Sequence, residues 1–440
     1  MKKVDLLNDD IKHLVHRYMI PSVLGMLALS TCIFFDTMFI GKGIGDNGLA
    51  ALNICLPIYS IFNAISYLIA IGGATTLSIA LGRKEFDRAN SIFSLSLVLV
   101  GILSFIFTVL GLMFLEEICL IIGASTNILN LTKDYMGIVL AGTGLFMFSS
   151  TLGVFLRNDK APKITMIAVI TGNLVNIILD YIFVINFGFG MKGAAVATVI
   201  AQFCAIFIML IHFFRGNNSI KLNFKNLNFK ETFKILKNGS SNFLMDLSAA
   251  FVIYMFNIML FSIKGDMGVA AYGIINNITL IGLAVINGIA QSVQPIWSIN
   301  YGAKNLKRVR ESLNIAIKIS LITGIVFLII GFIMPGRLAS IFTNDNGELL
   351  RLTIKGIRIS FFSFLFVGCN MVSIFYFQSI ESTKSSSIIS LMRGFILLVA
   401  FIIILPKFFG INGVWITIPL TEAITFIIAW VLFRKNKILI

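Results

Sequence analysis

Long apolar segments, separated by short polar turns, recur from one end of this chain to the other. Each segment holds about 18 or more predominantly apolar residues, enough for a helix to cross a hydrocarbon core of about 30 Å. The pattern predicts an all-α integral membrane protein with twelve transmembrane helices. Their predicted bounds are 17–41, 48–81, 91–115, 131–157, 163–186, 193–215, 238–263, 269–301, 312–334, 357–381, 385–406 and 412–433.

Composition agrees with this class of protein. Hydrophobic residues make up 58% of the chain and charged residues 12%, whereas a soluble domain carries about 25% charged residues. No cleaved signal peptide is expected, because residues 1–16 are polar and the apolar segment after them is too long for a signal sequence. The five cysteines, Cys32, Cys55, Cys119, Cys204 and Cys369, show no metal-binding or disulfide spacing. We expect them to be small core residues.

The net charge of +15 follows the membrane topology and does not indicate a nucleic-acid partner. With a cytoplasmic N-terminus, most of the Lys and Arg residues fall in cytoplasmic loops, as the positive-inside rule requires. Both termini are therefore predicted to be cytoplasmic. We expect a multi-pass protein of the plasma membrane, whose basic loops contact anionic lipid.

Three short sequences recur in the second half of the chain, all at the same offset, and indicate an internal duplication. The turn at Gly45-Asp46 returns at Gly265-Asp266, Gly82-Arg-Lys84 returns as Gly302-Ala-Lys304, and Phe189-Gly190 returns as Phe409-Gly410. Each half then holds six spans, an even number, so the two halves share one orientation across the membrane.

The duplication predicts two pseudo-symmetric six-helix lobes. The predicted domains are an N-lobe at 1–215, a cytoplasmic amphipathic connector at 216–237 and a C-lobe at 238–440. Two lobes that meet at a shared cavity favour transport by alternating access over a channel or a receptor.

Two aspartates within predicted spans mark a candidate site, because a charged side chain in hydrocarbon costs several kcal/mol. Asp36, Asp180 and Thr198 each lie five or six residues from an outer helix end, about 7–9 Å below the boundary. Asn176 lies one turn deeper than Asp180 on the same helix face. These side chains can meet if spans one, five and six are neighbours.

Such a set of oxygens suits a hard cation such as Na⁺, which makes Asp36, Asn176, Asp180 and Thr198 the predicted Na⁺ site. The two carboxyl groups could instead take up a proton, because burial beside a second carboxylate favours the neutral form. The alternative is a pair of separate aspartates, each hydrogen-bonded to its own neighbours.

The second half carries other intramembrane charges. Arg393 and Glu422 are candidates for a structural ion pair, and Asp246 could bind a cationic substrate or a proton or make an interhelical hydrogen bond. His13, His16 and His212 lie at span edges, where we assign them no partner. No nucleophilic triad, phosphate-binding loop or metal motif is present, so neither enzyme activity nor a cofactor is expected.

Several motifs together resemble the multidrug and toxic compound extrusion (MATE) transporters, in particular their bacterial DinF-like branches. The motifs are Pro21 with Phe35-Asp36-Thr-Met-Phe-Ile-Gly41, Gly82-Arg-Lys-Glu-Phe-Asp-Arg-Ala89, Asn176-Ile-Ile-Leu-Asp180 with Gly188-Phe-Gly190 to Thr198, Gln291-Ser-Val-Gln294-Pro295, and Phe377-Gln378. The resemblance covers nearly the whole chain.

The resemblance implies a MATE-type fold and export of cationic or amphipathic drugs in exchange for Na⁺ or H⁺, by a protein we expect to be a monomer. It assigns Asp36, Asn176, Asp180 and Thr198 to the cation site and Pro21 to a hinge. Substrate or proton contacts are expected at Asp246, Gln291, Gln294 and Gln378. The tenth predicted span lacks a carboxylate found in another branch, which shifts coupling to the N-lobe. The alternative within the superfamily is a flippase for lipid-linked precursors.

Overall fold

The computed structural model describes residues 5–214, 218–224, 227–342 and 347–435, and within these ranges every regular element is helical. The α-helices are α1 Ile11–Ile44, α2 Asp46–Gly82, α3 Phe86–Met113, α4 Leu115–Ile121, α5 Leu129–Ala141, α6 Thr143–Asn158, α7 Pro162–Asp180, α8 Gly190–Phe214, α9 Glu231–Gly302, α10 Leu306–Ile333, α11 Pro335–Ser340, α12 Glu348–Ser360, α13 Phe364–Ser379, α14 Thr383–Leu391, α15 Leu397–Phe409 and α16 Ile411–Lys435. Short π-helical turns at Tyr181–Asn186 and Met392–Ile396 and a 3₁₀ turn at Phe361–Ser363 continue some of them.

The number of membrane spans agrees with the sequence prediction. In the described ranges, ten helical stretches are long and apolar enough to cross a membrane, and the pair α5 and α6 forms an eleventh with a 52° bend. The longest helix, α9, breaks at Gly265, where a φ of 59° interrupts the helical backbone, and it therefore supplies two spans. The total is twelve, which confirms the predicted fold class. The span predicted at 131–157 is formed by α5 and α6 together, with the bend between them.

The duplication is also visible in the backbone. The two helices α2 and α3 begin at Asp46 and Phe86, and their counterparts start at 266, after the break in α9, and at Leu306. The turn before α3 has a positive φ of 64° at Lys84, and the turn before α10 has one of 61° at Lys304. The same loop geometry therefore recurs at the offset that relates the repeated sequences.

The chain forms two compact units whose boundaries lie within helices. Of the described residues, those within Ile20–Phe243 form the first unit, and Asp5–Met19 with the residues from Leu244 onward form the second. Both α1 and α9 thus begin in one unit and continue in the other. The predicted start of the C-lobe at 238 lies inside α9.

Two equivalent arginines hold the beginnings of these two helices. In the first unit Arg88 Nε lies 3.0 Å from Glu231 Oε1, at the start of α9. In the second unit Arg308 Nη2 donates to the Asp9 carbonyl oxygen at 2.6 Å, just before α1. Because Arg88 and Arg308 occupy corresponding positions of the two halves, these two contacts follow the internal duplication.

The predicted connector 216–237 is only partly described, since residues 216, 217, 225 and 226 lie outside the described ranges. Its residues 218–224 form no helix, and α9 already begins at Glu231. Phe224, Phe229 and Phe233 are exposed, so an apolar surface for the membrane is available. Its position on the inner leaflet stays a prediction.

Candidate functional site

The fifth predicted span, α7, turns a polar face inward and an apolar face outward. The buried face includes Thr165, Gly172, Asn173, Asn176 and Asp180. The outward face carries Leu174 and Ile178, which are 53% and 57% exposed. In water an amphipathic helix has the opposite arrangement. An inward polar face in a lipid-embedded helix therefore indicates a site rather than a packing surface.

Close packing of α7 on α8 brings the predicted site residues together. A Cβ atom at Gly172 would lie only 3.0 Å from the Ala201 carbonyl oxygen and 3.2 Å from the Ala205 Cβ. Because glycine lets the two backbones approach, the Asn176 Nδ2 reaches the Thr198 Oγ1 at 3.4 Å. The Thr198 hydroxyl in turn donates to the Ala194 carbonyl oxygen at 2.8 Å.

The carboxyl groups of Asp36, on α1, and Asp180, at the end of α7, meet next to this amide. They are close enough for a mutual hydrogen bond once one of them carries a proton. Asp180 is fully buried. The Asn176 amide interacts with the Asp180 carboxyl group. Among the described residues, however, neither Asp180 oxygen nor the Asp36 Oδ1 accepts a hydrogen bond of ordinary length. A π-helical turn begins directly after Asp180, a distortion that is frequent at functional sites.

The arrangement fits a small monovalent cation or a proton. Buried carboxylate oxygens without donors are costly unless a positive charge neutralises them. All four predicted residues, Asp36, Asn176, Asp180 and Thr198, take part in this one cluster of the first unit. No group of three or more His, Cys, Asp or Glu side chains able to hold a metal ion occurs in the described parts of the chain.

Sequence reasoning missed a member of this cluster, Cys32. Its Sγ donates to the Asn176 Oδ1 at 2.8 Å, so treating Cys32 only as a core residue was wrong. The thiol also interacts electrostatically with Asp36 and Asp180. A usable signal was the spacing, because Cys32 precedes Asp36 by four residues and so shares its helix face. Tyr59 on α2, whose ring stacks edge-on against Phe146, also lies near Asp36.

The carboxyl pair is not repeated at the equivalent sequence positions of the second half. At the offset of the repeat, the positions that correspond to Asp36 and Asp180 hold Phe256 and Ala400. Phe256 is only 1% exposed. The duplicated scaffold therefore carries its acidic pair in one half.

Arg393 and Glu422, predicted as an ion pair, are in contact in the second unit. Arg393 Nε lies 2.5 Å from Glu422 Oε1, and both side chains are largely buried. The Asn370 amide donates to the other carboxylate oxygen at 2.7 Å, and Arg393 Nη1 contacts the Met371 sulfur. Both charges are thus compensated.

The remaining candidates of the second unit lie on α9 and α13. Asp246 is half-buried and makes no hydrogen bond or ion pair with any other described residue. Gln291 is half-buried, and its Oε1 has no donor within the described ranges. Gln294 and Gln378 are buried. Pro21 is a buried residue within α1, whose helix continues through it without interruption.

His212 contradicts the expectation that the histidines lack partners. Its Nε2 lies 2.8 Å from the Asp159 Oδ2, and both side chains are buried. The other Asp159 oxygen accepts the Ser219 backbone N–H at 2.7 Å. The pair therefore ties the end of α8 and the beginning of the connector to the turn between α6 and α7.

Comparison with known proteins agrees with this architecture. The chain is 24% identical over 421 residues to the multidrug export protein MepA of Staphylococcus aureus, covering 94% of this chain and 91% of that protein. It is 25% identical over 424 residues to MepA of Staphylococcus haemolyticus, with the same coverage.

Solved structures share the fold. An outward-facing multidrug resistance MATE transporter of the MOP superfamily superposes with a TM-score of 0.93 at 24% identity, covering 99% of this chain and 98% of that one. A MOP superfamily transporter from Pyrococcus furiosus, described as having a binding pocket of reverse polarity, gives 0.92 at the same identity and coverage.

The MatE family model matches residues 21–182 and 244–404, which is most of the chain and includes both halves. Members of this family are transporters, so the prediction that the chain is not an enzyme is confirmed. The chain belongs to the MatE family, the multidrug and toxic compound extrusion transporters.

Proposed function

We propose that this chain is a multidrug efflux antiporter of the plasma membrane that exports cationic or amphipathic small molecules in exchange for Na⁺ or H⁺. The observation that carries the proposal is the Asp36 and Asp180 carboxyl pair, whose buried oxygens lack donors in the described structure. Two adjacent carboxylates without a counter-charge repel one another and are poorly solvated. The free energy of this cluster is therefore much lower with a bound cation than without one.

Coupling follows from that difference. A ligand shifts a conformational equilibrium only by as much as its affinity differs between the two conformations. Cation binding neutralises the Asp36 and Asp180 pair and stabilises the packing of α1 against α7. The conformation that releases drug outward is then favoured when the site is loaded, and ion release to the cytoplasm resets it.

The proposed class of substrate is supported by the names of similar proteins and by polar side chains of the second unit. The similar proteins are named multidrug export proteins. Asp246, half-buried and without an ionic partner among the described residues, supplies a negative charge for a cationic drug. The amides of Gln291, Gln294 and Gln378 add polar contacts, and Pro21 acts as the hinge of α1. We propose a monomer with cytoplasmic termini that needs no cofactor.

The pairing of Arg393 argues against a flippase for lipid-linked precursors. Such a substrate carries phosphate groups and needs uncompensated cationic side chains. Arg393, the buried base identified from the sequence, is paired with Glu422 and contacts Met371. We therefore propose drug export.

Ethidium efflux from intact cells, or ethidium uptake into inverted vesicles, tests the proposal. An imposed Na⁺ or pH gradient should drive efflux by the wild type and by Asp46→Asn, a control that changes an exposed aspartate. Asp36→Asn and Asp180→Asn should abolish the response to the gradient. Efflux that stays gradient-driven in both site variants would refute the coupling role, and no ethidium efflux by the wild type would refute the substrate class.

A further inference from the structure

The two neutral residues of the candidate cation site, Asn176 and Thr198, are hydrogen-bonded to each other, and the Cys32 thiol is hydrogen-bonded to Asn176. The Cys32 Sγ donates to Asn176 Oδ1 at 2.8 Å, and Asn176 Nδ2 donates to Thr198 Oγ1 at 3.4 Å. The amide is therefore held from both sides, by α1 and by α8.

Of the four predicted site residues, the two aspartates carry the described oxygens that accept no hydrogen bond of ordinary length. Both oxygens of Asp180 and the Oδ1 of Asp36 have no donor among the described residues, whereas the Asn176 Oδ1 accepts from Cys32. A proton needs only two oxygens and is served by the carboxyl pair. A Na⁺ ion needs several oxygens at once, and in proteins these come from carbonyl groups as well as carboxylates. A Na⁺ ion at this site would therefore have to compete with the Cys32 thiol for the Asn176 Oδ1, or share this oxygen with the thiol.

We propose that Cys32 is a specificity-determining residue of the ion site: its hydrogen bond to Asn176 withholds the amide oxygen from Na⁺ and makes the Asp36 and Asp180 pair a proton site. The proposal rests on the antiporter function proposed above and names the ion that this function uses. Cys32 acts through Asn176 and does not bind the ion itself.

A hydrogen bond with a net value of about 1 kcal/mol changes an equilibrium about fivefold, which sets the size of the expected effect. Cys32→Ala removes the donor and frees the amide oxygen. Cys32→Ser keeps a donor at the same position, and a hydroxyl is a stronger donor than a thiol. Cys204→Ala is the matched control, since Cys204 is the other half-buried cysteine and lies on α8.

Thermal unfolding of the purified full-length protein in detergent, with increasing NaCl against choline chloride, measures Na⁺ binding without any transport. We expect no Na⁺-specific rise in unfolding temperature for the wild type, Cys32→Ser and Cys204→Ala. Cys32→Ala should gain such a rise over the same range of NaCl concentration, because an about fivefold higher affinity brings Na⁺ binding into that range. In proteoliposomes the same variant should gain ethidium efflux driven by a Na⁺ gradient, whereas the wild type responds to a pH gradient.

Three results would overturn the role of Cys32: an unchanged Na⁺ response in Cys32→Ala, a Cys32→Ser variant that behaves like Cys32→Ala, or a wild type driven by Na⁺ alone. Each leaves gradient-driven efflux intact and so differs from failure of the antiporter function itself. The S–H stretching band of Cys32, identified by its loss in Cys32→Ser, gives a readout on the wild type. It should show a hydrogen-bonded thiol, and a free thiol would contradict the proposal even if Cys32→Ala did not fold.

Discussion

Asp36 on α1 and Asp180 on α7 place two carboxyl groups side by side in the interior of the first unit, and Asp180 is fully buried. They come from helices that are far apart in the sequence. Three of their four oxygens have no hydrogen-bond donor within the described ranges. A protein keeps such a pair only at a cost in stability, which ties it to a function.

Asp180→Asn should stabilise the protein while abolishing coupled transport. The amide keeps the shape of the side chain and cannot ionise beside Asp36, so the free energy of unfolding should rise by about 1–3 kcal/mol under alkaline conditions, in which both carboxyl groups of the wild type are charged. Denaturation in detergent measures this, with Asp46→Asn as the exposed control that should change nothing. A destabilised Asp180→Asn would mean that the carboxylate is satisfied by a protein partner and is not an ion ligand.

Gly172→Val should separate α7 from α8 and damage the site without altering any of its polar groups. A Cβ atom there already approaches the Ala201 carbonyl oxygen at 3.0 Å, so the larger side chain should cost about 1–3 kcal/mol of stability. Gradient-driven efflux should fall with it. Gly25→Ala on α1 is the control, because nothing lies within 4 Å of its added Cβ. Equal effects of the two substitutions would argue against a packing role for Gly172.

Glu422→Gln should destabilise the second unit by about 3 kcal/mol, because it leaves the Arg393 guanidinium largely buried without its counter-charge. The double variant Arg393→Met/Glu422→Gln should lose less than the sum of its single variants, as measured by thermal unfolding. Glu348→Gln breaks the exposed pair with Lys264 and should change stability by less than about 1 kcal/mol. Additive losses at Arg393 and Glu422 would show that the two charges do not depend on each other.

Asp159→Ala should loosen the connector, because Asp159 binds both His212 and the Ser219 backbone. Loss of two buried hydrogen bonds should cost about 2 kcal/mol. Hydrogen exchange at Ser219 should become faster, while exchange within α7 should stay unchanged. Unaltered exchange at Ser219 would show that Asp159 does not hold the connector.

Much of the fold could be predicted because a membrane imposes length and apolarity on every span. The twelve spans and the duplication follow from that constraint and from turns that recur at one constant offset. Helix ends were harder. The sequence predicts that span seven begins at 238, yet α9 already begins at Glu231. Hydropathy detects where a helix meets lipid but not where it continues outside it.

The candidate site could be predicted as far as charge and depth allow. Polar groups in hydrocarbon are energetically costly, and this cost identifies four candidate residues from the sequence: Asp36, Asn176, Asp180 and Thr198. Cys32 does not, since a thiol is nearly apolar and fits a core as readily as a site. Likewise, the pairing of His212 with Asp159 joins residues 53 positions apart and leaves no local pattern. Such contacts are set by tertiary packing.

Ion movement that accompanies drug transport tests the central proposal most directly. In proteoliposomes without an imposed ion gradient, an ethidium gradient should drive a flux of the coupling ion in the opposite direction, recorded with pH-sensitive and Na⁺-sensitive dyes. The wild type and Asp46→Asn should show this counter-flux, and Asp36→Asn and Asp180→Asn should not. Ethidium transport by the wild type without any counter-flux, or an equal counter-flux in the two site variants, would contradict the account.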